Sequence, residues 1–334
     1  MDQSGNIPSV SPLFPLRILV LTTWKTFSVG PLLDEHIRIN EIFDAFGPIP
    51  RLCIEYRSDE SIDEYEDDLQ RAILNVTASQ LEQLLKDATS LTMDAVSHKI
   101  CLLSRERRDD VHSRPVVAPI TPSIQSRLAN QLRNLEQGEK IRLYKNFARV
   151  SDSRATAGVV FEAIVQCYFQ EEINLDLIPM VKLDKVQKGA LPQWYSSHVP
   201  LDNPVLEASR RQVLQQGLKI AATPARTKEF PEKEPLRIEP NVFYVPEAGN
   251  HESLDSFILI NGLLLIFQFT ISRGHDIKPG LLRFFKRCPN CPPISDWCFV
   301  FVIPRNLTLT CPQPWRLELR KVSLFSAVVD TSGW

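Results

Sequence analysis

The stretch from Asp255 to Lys278 constrains the fold of this chain more than any other part of its sequence. It contains two apolar segments, rich in Ile, Leu and Phe, on either side of Asn261-Gly262. Asn-Gly is the strongest short signal for a tight turn between two β-strands. Each apolar segment is too short to cross a bilayer but long enough for a strand. The sequence therefore predicts two neighbouring strands inside a folded domain.

Polar side chains interrupt these apolar strands. Asp255 enters the first strand, Gln268 lies in the second, and Thr270 follows two residues later on the same face. Carboxylate and amide oxygens are ligands that Mg²⁺ accepts, so the pattern is typical of a metal site. Two structural interpretations stay open, because Asp255 could cap a turn and Gln268 could hydrogen-bond the backbone of a neighbouring strand.

Length and composition indicate a folded intracellular protein with two domains. The 334 residues, 43% hydrophobic and 23% charged, are enough to bury a substantial core. The first residues carry no basic segment ahead of their short apolar run, so we expect neither a signal peptide nor a membrane span. The odd number of cysteines, seven, is typical of a reducing compartment. We therefore expect the protein inside a cell, with the nucleus as one place of action.

The chain divides into a helical part and a mixed part. Residues 1–15 are rich in Pro and Ser and are expected to be disordered, whereas residues 16–115 show helical periodicity. Residues 120–320 contain a helix, several strands, a second helix and a further strand. This order predicts an α/β (α+β) domain, with a mixed β-sheet flanked by helices. Residues 321–334 are expected to form a C-terminal tail.

A helix in the second domain supplies another acid. The segment from Ser151 to Gln170 has an apolar side, and a serine at its start can cap it. Glu162 lies in its middle, surrounded by apolar residues. Together with Asp255 and Gln268 it could supply three oxygens from three elements to a Mg²⁺ ion. Alternatively, Glu162 is a polar-face residue of an amphipathic helix.

The position next to this proposed metal site holds a threonine. Thr270 occupies the place where a lysine would orient or activate the attacking water. A threonine can hydrogen-bond that water but carries no positive charge. Lys278 could reach in from the following helix, and His275 is a further candidate, although it also fits a turn. The predicted catalytic residues are Asp255, Gln268, Thr270 and Lys278.

Positive charge is concentrated directly after these strands. The whole chain has a formal net charge of -2, whereas residues 273–287 contain a single acid, Asp276, among several basic residues. Such a cluster can contact the phosphates of a nucleic acid, or it can be the solvated face of a helix. The candidate nucleic-acid contacts are Arg273, Lys278, Arg283, Lys286 and Arg287.

Cysteines offer a competing metal site. Cys288-x-x-Cys291 has the spacing of a zinc-binding pair, and Cys298 and Cys311 follow it. However, Cys298 lies inside an apolar strand-like segment, and prolines surround the pair. We therefore prefer a tight surface turn as the interpretation of Cys288 to Cys291.

Three segments carry a resemblance to a known family: SRATAGVVFE, FYVPEAGNHESLDSFIL and IFQFTISRGHDIKPGLLRFF. Together they resemble the C-terminal nuclease-like domain of the Crinkler and retrotransposon-hot-spot (RHS) proteins, a branch of the restriction-endonuclease-like PD-(D/E)XK superfamily. The upstream segment NEIFDAFGPIPRLC resembles the helical lid that follows the ATPase core of those proteins. The resemblance spans residues 16 to 310.

This resemblance implies a restriction-endonuclease-like fold and a Mg²⁺-dependent endonuclease that acts on DNA, with RNA as the alternative. It assigns the metal-binding acids to Glu162 and Asp255, and it places Gln268-x-Thr270 where Glu-x-Lys is usual. The chain has twelve glycines and no G-x-x-x-x-G-K-[ST] motif, so no nucleotide cofactor is expected. It therefore resembles a truncated or reduced member of an effector or mobile-element family. The alternative expectation is an inactive module of the same fold that binds nucleic acid or protein.

Overall fold

The computed structural model describes residues 33–47, 59–82, 97–106, 114–149, 154–183, 192–198, 200, 203–231, 234–247, 253–314 and 316–331. These residues belong to two compact units. The first contains the described residues up to 76 and those from 97 to 124. The second contains residues 77–82 and the described residues from 125 onward. The segment predicted to be disordered, residues 1–15, lies outside the described residues.

The first unit combines helices with a small β-hairpin. Its helices are α1 (Leu33–Phe46), α2 (Asp59–Leu74) and α3 (Ser97–Ile100). Two antiparallel strands follow, β1 (Cys101–Glu106) and β2 (Arg114–Pro119). The helix α1 ends at Gly47, which has a φ of 93° and donates its N–H to the carbonyl of Phe43 at 2.8 Å. A positive φ costs glycine little, so this residue is well suited to end the helix.

Five of the described helices lie wholly or mainly in the second unit. They are α4 (Pro122–Arg133), α5 (Gln137–Arg149), α6 (Arg154–Glu171), α7 (Pro204–Val213) and α8 (Gly280–Phe285). The helix predicted around Glu162 is α6, and the second helix predicted for this domain is α8. None of the described helices is long and apolar enough to cross a bilayer.

Two sheets form the β part of the second unit. Their strands are β3 (Ile173–Pro179), β4 (Val181–Leu183), β5 (Gln193–Tyr195), β6 (Leu218–Ala222), β7 (Arg226–Phe230), β8 (Val242–Pro246), β9 (Ser256–Ile260), β10 (Leu263–Phe269), β11 (Trp297–Pro304), β12 (Thr310–Pro312) and β13 (Ser323–Val329). The large sheet has eight strands in the order β6-β3-β13-β11-β10-β9-β8-β7, and the small sheet has the order β12-β5-β4. The large sheet is mixed, with parallel pairs β7-β8, β10-β11 and β11-β13.

The predicted turn at Asn261-Gly262 is confirmed. It joins β9 to β10, which pair antiparallel from Ile260 opposite Leu263. Asn261 and Gly262 have φ angles of 50° and 83°. Two consecutive positive φ angles are characteristic of the tight hairpin turn whose twist matches that of the strands.

Helices cover both faces of the large sheet at the β9-β10 hairpin. Phe267 and Phe269 of β10 contact Phe169 of α6 with ring centroids 5.2 and 5.5 Å apart. Leu264 and Ile266, at the alternate positions, belong to the core cluster that includes residues of α8. Because successive side chains of a strand point to opposite faces, α6 and α8 lie on opposite sides of the sheet.

The predicted fold class, α/β with a mixed sheet flanked by helices, is confirmed. The C-terminal segment differs from the prediction of a tail at residues 321–334. Instead, β13 lies inside the large sheet between β11 and β3. Its sequence, SLFSAVV, contains enough apolar and β-branched residues to pack within a sheet, and this makes it a strand rather than a tail.

Candidate functional site

Several strand ends meet at one end of the large sheet. The strand β8 runs parallel to β7 and antiparallel to β9, and β9 runs antiparallel to β10. The ends of β7, β8 and β10 therefore lie beside the start of β9. Asp255 directly precedes β9, and Gln268 is the last residue but one of β10. The sheet register thus places these two polar residues side by side.

Asp255 is fixed to the end of β10 by its backbone and by its side chain. Only 6% of its surface is exposed. Gln268 Nε2 donates hydrogen bonds to Oδ1 and Oδ2, each at 2.8 Å. The backbone N–H of Phe269 donates to Oδ2 at 2.6 Å, and the N–H of Asp255 donates to the carbonyl of Phe267 at 2.9 Å. The carboxylate is therefore held in one orientation.

Gln268 acts as a hydrogen-bond donor at this site. Its amide nitrogen faces the Asp255 carboxylate, so its partner is a side chain and not the backbone of a neighbouring strand. Since a carboxamide has its oxygen on the other branch, Gln268 does not present an oxygen towards Asp255 in this arrangement. Of the three predicted oxygen ligands, only those of the Glu162 and Asp255 carboxylates remain, and the amide of Gln268 supports Asp255.

The helix α6 brings Glu162 to the same place. Gln166, one turn further along the helix and fully buried, donates from Nε2 to Glu162 Oε1 at 3.3 Å. The same nitrogen donates to the backbone carbonyl of Asp255 at 3.0 Å. One more turn along, Phe169 packs against the sheet. Glu162 and Asp255, which are distant in sequence, are thereby connected through Gln166.

Burial makes both acids bind protons tightly. It raises the pKa of Glu162 well above its usual range, and the nearby Asp255 raises it further, whereas Arg133 and the hydrogen bond from Gln166 lower it. Burial also raises the pKa of Asp255 to about 7. The hydrogen bonds from Phe269 and Gln268 and the charge of Arg133 lower this pKa, but burial has the larger effect. Two buried acids within electrostatic range of each other favour a shared proton or a bound cation.

Sequence reasoning missed Arg133, which lies beside these acids. Burial lowers the pKa of its guanidinium, and the charges of Glu162, Glu229 and Asp255 raise it. In the sequence, Arg133 is a basic residue in the last turn of α4, where a cation is favourable for the helix dipole alone. No local pattern could have connected it to strands more than a hundred residues further along.

Thr270, His275 and Lys278 are the residues predicted to orient or activate the attacking water. They lie within nine residues of one another, but their contacts differ. Thr270 is buried, and its Oγ1 accepts a hydrogen bond from the N–H of Ser272 at 3.0 Å. Lys278 Nζ pairs with Asp276 at 3.1 Å, and among the described residues it forms no ion pair with Glu162 or Asp255. His275 lies outside the helices and strands, and its N–H donates to the carbonyl of Thr310 at 3.0 Å.

The predicted basic residues lie mainly at the surface around α8. Arg273, Arg283, Lys286 and Arg287 are exposed, and Lys278 is half-buried. Two of them line an open groove of about 290 Å³, together with Pro279, Leu282, Arg316 and Glu318. Lys286 Nζ lies 3.7 Å from Glu318 Oε1, so one acid partly offsets this positive surface.

The chemistry of the donors fits a Mg²⁺ site built on two carboxylates. Magnesium in proteins keeps several waters and often takes only one or two carboxylates, with substrate phosphates completing the shell. Glu162 and Asp255 supply such a pair in a buried setting. Among the described residues, no group of three or more His, Cys, Asp or Glu side chains is placed to hold a metal ion.

The predicted turn at Cys288 to Cys291 is confirmed. The N–H of Cys291 donates to the carbonyl of Cys288 at 3.2 Å, directly after α8. The thiol of Cys288 is buried and approaches the carbonyl of Phe284 at 3.7 Å. Both thiols are in the reduced state, and burial raises the pKa of each of them. This chemistry favours a structural turn, since a zinc ligand must lose its thiol proton.

Comparison with known proteins assigns no family to this chain. No family model, no curated protein and no solved structure matches it. The chemistry of the site must therefore be inferred from its own residues.

Proposed function

We propose that this chain is a Mg²⁺-dependent, nuclease-like phosphodiesterase that acts on DNA inside the cell, with RNA as the alternative substrate. The observation that carries the proposal is that Gln166 hydrogen-bonds both the Glu162 carboxylate and the backbone carbonyl of Asp255, while the charge of Asp255 raises the pKa of Glu162. The resemblance to the nuclease-like domain of the Crinkler and RHS proteins supports the same two acids as metal ligands.

The residues of the site have distinct tasks in this proposal. Glu162 and Asp255 hold the Mg²⁺ ion, whose chemistry is to activate water and to neutralise phosphate charge. Gln268 and the N–H of Phe269 orient the Asp255 carboxylate. This is the supporting role that hydrogen-bond partners of metal-binding carboxylates usually have. Thr270 supplies a hydroxyl two residues beyond Gln268.

The basic residues around α8 supply the attraction for DNA. Arg283, Lys286 and Arg287 are exposed and close together in sequence, and exposed Lys and Arg side chains can neutralise phosphates. The chain as a whole has a formal net charge of -2. Binding therefore depends on this local cluster and not on the average charge.

A second candidate is an inactive module of the same fold that binds nucleic acid or protein. One observation favours it: Gln268 Nε2 already donates to both oxygens of Asp255. An amide that satisfies the carboxylate in this way stabilises the fold without a metal ion. The position of a catalytic lysine also holds the uncharged Thr270.

Plasmid cleavage tests the first candidate. The wild-type chain should nick or linearise plasmid DNA in Mg²⁺ or Mn²⁺ and stop when EDTA is added. The variant Asp255→Asn keeps the shape of the side chain but removes its charge, so cleavage should fall by about 100-fold or more, because a metal ligand is lost. Asp176→Asn is the matched control, since Asp176 is an exposed acid on β3.

The outcome separates the two candidates. Equal cleavage by wild type and Asp255→Asn would exclude Asp255 from the metal site. A folded wild type that cleaves neither DNA nor RNA, yet retains DNA in a salt-sensitive manner, would point to the second candidate.

A further inference from the structure

A buried lysine contacts a cysteine between two helices of the second unit. Lys140 on α5 is only 3% exposed. Its Nζ donates a hydrogen bond to the sulfur of Cys167 on α6 at 3.1 Å and another to the backbone carbonyl of Arg133 at 3.2 Å. Lysine is almost never buried to this degree unless its amino group has partners. One of the partners here is a sulfur, which is a weak acceptor and offsets little of the cost of burial.

Packing between α5 and α6 fixes the relative position of the two side chains. The rings of Tyr144 on α5 and Phe161 on α6 lie 5.7 Å apart, centroid to centroid. The Cys167 thiol also approaches the Arg133 carbonyl, at 3.9 Å. An amine, a thiol and a carbonyl from three helices therefore form one cluster.

The helix α4, which supplies the Arg133 carbonyl, is itself attached to the large sheet. Asn130 Nδ2 donates a hydrogen bond to the carbonyl of Glu247, directly after β8, at 3.0 Å. All three helices of the cluster are thus held in place. Lys140 Nζ and Cys167 Sγ are kept in contact by the fold, although they lie far apart along the chain.

Small reagents can reach the sulfur of this pair. Of the six cysteines in the described part of the chain, four are buried, whereas Cys167 and Cys291 are half-buried. The residue after Cys167, Tyr168, is 37% exposed. Oxidation of cysteines selects accessible thiols, and a positively charged neighbour such as a lysine promotes their reactivity. Cys291 follows α8, on the opposite side of the sheet from α6.

We propose that a peroxide joins Cys167 and Lys140 through a covalent S–N bond, a sulfenamide, and that thiols reverse the reaction. This inference does not depend on the proposed function. The bond would tie α6 to α5 at the residue next to Gln166, which hydrogen-bonds both Glu162 and the carbonyl of Asp255. Oxidation would therefore restrain the helix that carries these acids.

The chemistry takes place in two steps. The Cys167 sulfur first attacks a peroxide oxygen: an S–O bond forms, the O–O bond breaks, the peroxide is reduced to water, and the sulfur is oxidised to a sulfenic acid. Lys140 Nζ, once it has released its ammonium proton to solvent, then attacks that sulfur. The S–N bond forms, the S–O bond breaks, and the hydroxyl leaves as water with a proton from the nitrogen. Sulfenic acids condense with nitrogen atoms in this way.

The competing explanation is that Lys140 only donates hydrogen bonds within the core. Cys167 would then stay a free thiol in peroxide, or its oxidation would end at the sulfenic or sulfinic acid. The two explanations differ in one product, which is a covalent link between the two residues.

Mass spectrometry tests for this link. Folded wild type is treated with hydrogen peroxide, its remaining thiols are alkylated, and it is digested with a protease that cleaves after Glu. Cleavage after Glu139 and Glu162 places Lys140 and Cys167 in different peptides. We expect the two peptides to appear joined, two hydrogens lighter than their sum. Dithiothreitol before alkylation should separate them, because a thiol breaks the S–N bond.

Three variants serve as controls. Lys140→Met keeps a long apolar side chain without an amine, and Cys167→Ser has no thiol, so neither should give the joined peptides. Cys291→Ser removes the other half-buried thiol and should link as wild type does. Wild type oxidised in urea should not link, because folding brings the two atoms together. Thermal unfolding of each variant shows whether it is folded, and Cys167→Ser provides the comparison if Lys140→Met is not.

Folded wild type without the joined peptides would overturn the proposal, whether its Cys167 stays a thiol or carries a sulfenic or sulfinic acid. Equal amounts of joined peptides from folded and urea-treated protein would also overturn it. None of these results involves DNA. The plasmid assay and the cross-link therefore succeed or fail separately.

Discussion

At the level of single residues, the site is defined by the hydrogen bonds that each carboxylate accepts. The Asp255 carboxylate accepts hydrogen bonds from Gln268 and from the N–H of Phe269, whereas Glu162 accepts one from Gln166. Both acids nevertheless bind protons more tightly than free carboxyls, because burial outweighs these bonds. Without a cation, the site is therefore sensitive to pH.

The stability of the fold should fall as the pH rises towards neutral. The pKa of Asp255 is raised from 3.8 to about 7, so the folded chain holds this proton more tightly than the unfolded chain. The resulting stabilisation is complete below pH 3.8 and is lost as the pH rises through about 7. A shift of one unit corresponds to about 1.4 kcal/mol, so the shift from 3.8 to about 7 amounts to roughly 4 kcal/mol, of which roughly 3 kcal/mol should be lost between pH 5 and pH 8. Urea unfolding between pH 5 and pH 8 measures it.

The matched variant is Asp255→Asn, which cannot ionise. Its free energy of unfolding should change less than that of wild type over the same pH range. Added Mg²⁺ should restore stability to wild type at pH 8 and have a smaller effect on the variant. Parallel pH profiles for the two proteins would mean that Asp255 titrates normally in the fold.

At the level of elements, the contact between α6 and β10 positions Glu162. Phe169 is buried, and its ring packs edge-on against three others, those of Phe243, Phe267 and Phe269. This contact sets the distance between the helix and the sheet two turns beyond Glu162. The turn at Asn261-Gly262 then sets the register that places Asp255 next to Gln268.

Phe169→Ala should destabilise the second unit strongly. Removing a buried aromatic ring leaves a cavity, which typically costs about 3–5 kcal/mol. The control is Glu171→Ala on the same helix, an exposed position where we expect a change within about 0.5 kcal/mol. Chemical denaturation followed by tryptophan fluorescence compares them. A loss below about 1 kcal/mol for Phe169→Ala would mean that other contacts hold α6 in place.

At the level of the whole molecule, charge is nearly balanced but unevenly placed. The formal net charge is -2, whereas the surface of α8 and the residues directly after it carry Arg283, Lys286 and Arg287. Affinity for DNA should therefore depend on salt through a few contacts only.

Replacing Arg283, Lys286 and Arg287 with Gln should weaken DNA binding and reduce its salt dependence. Each lost phosphate contact lowers the slope of log K against log salt by about 0.9. The control replaces three exposed basic residues elsewhere, Lys145, Arg211 and Lys219, and changes the net charge equally. Fluorescence anisotropy at several salt concentrations measures both. An equal effect of the two triple variants would mean that binding follows net charge and not this cluster.

Local sequence was sufficient for much of the fold. The Asn261-Gly262 turn, the helix around Glu162 and the apolar strand from Trp297 to Pro304 all follow from turn chemistry and hydrophobic periodicity, which involve only neighbouring residues. The prediction of a tail was wrong for Ser323–Val329, although the apolar and β-branched residues of this segment are typical of a strand. Its place in the sheet depends on partners that lie far away along the chain.

The candidate acids could be chosen from the sequence, but their chemistry could not. Whether Glu162 reaches Asp255, and whether Gln268 presents its nitrogen or its oxygen, depends on how α6 packs against the β9-β10 hairpin. Arg133 reaches the same site only through the attachment of α4 to α6 and to the end of β8. Residue types and local periodicity involve only residues that are neighbours in the sequence. The distances between helices and strands are set only when their side chains pack together.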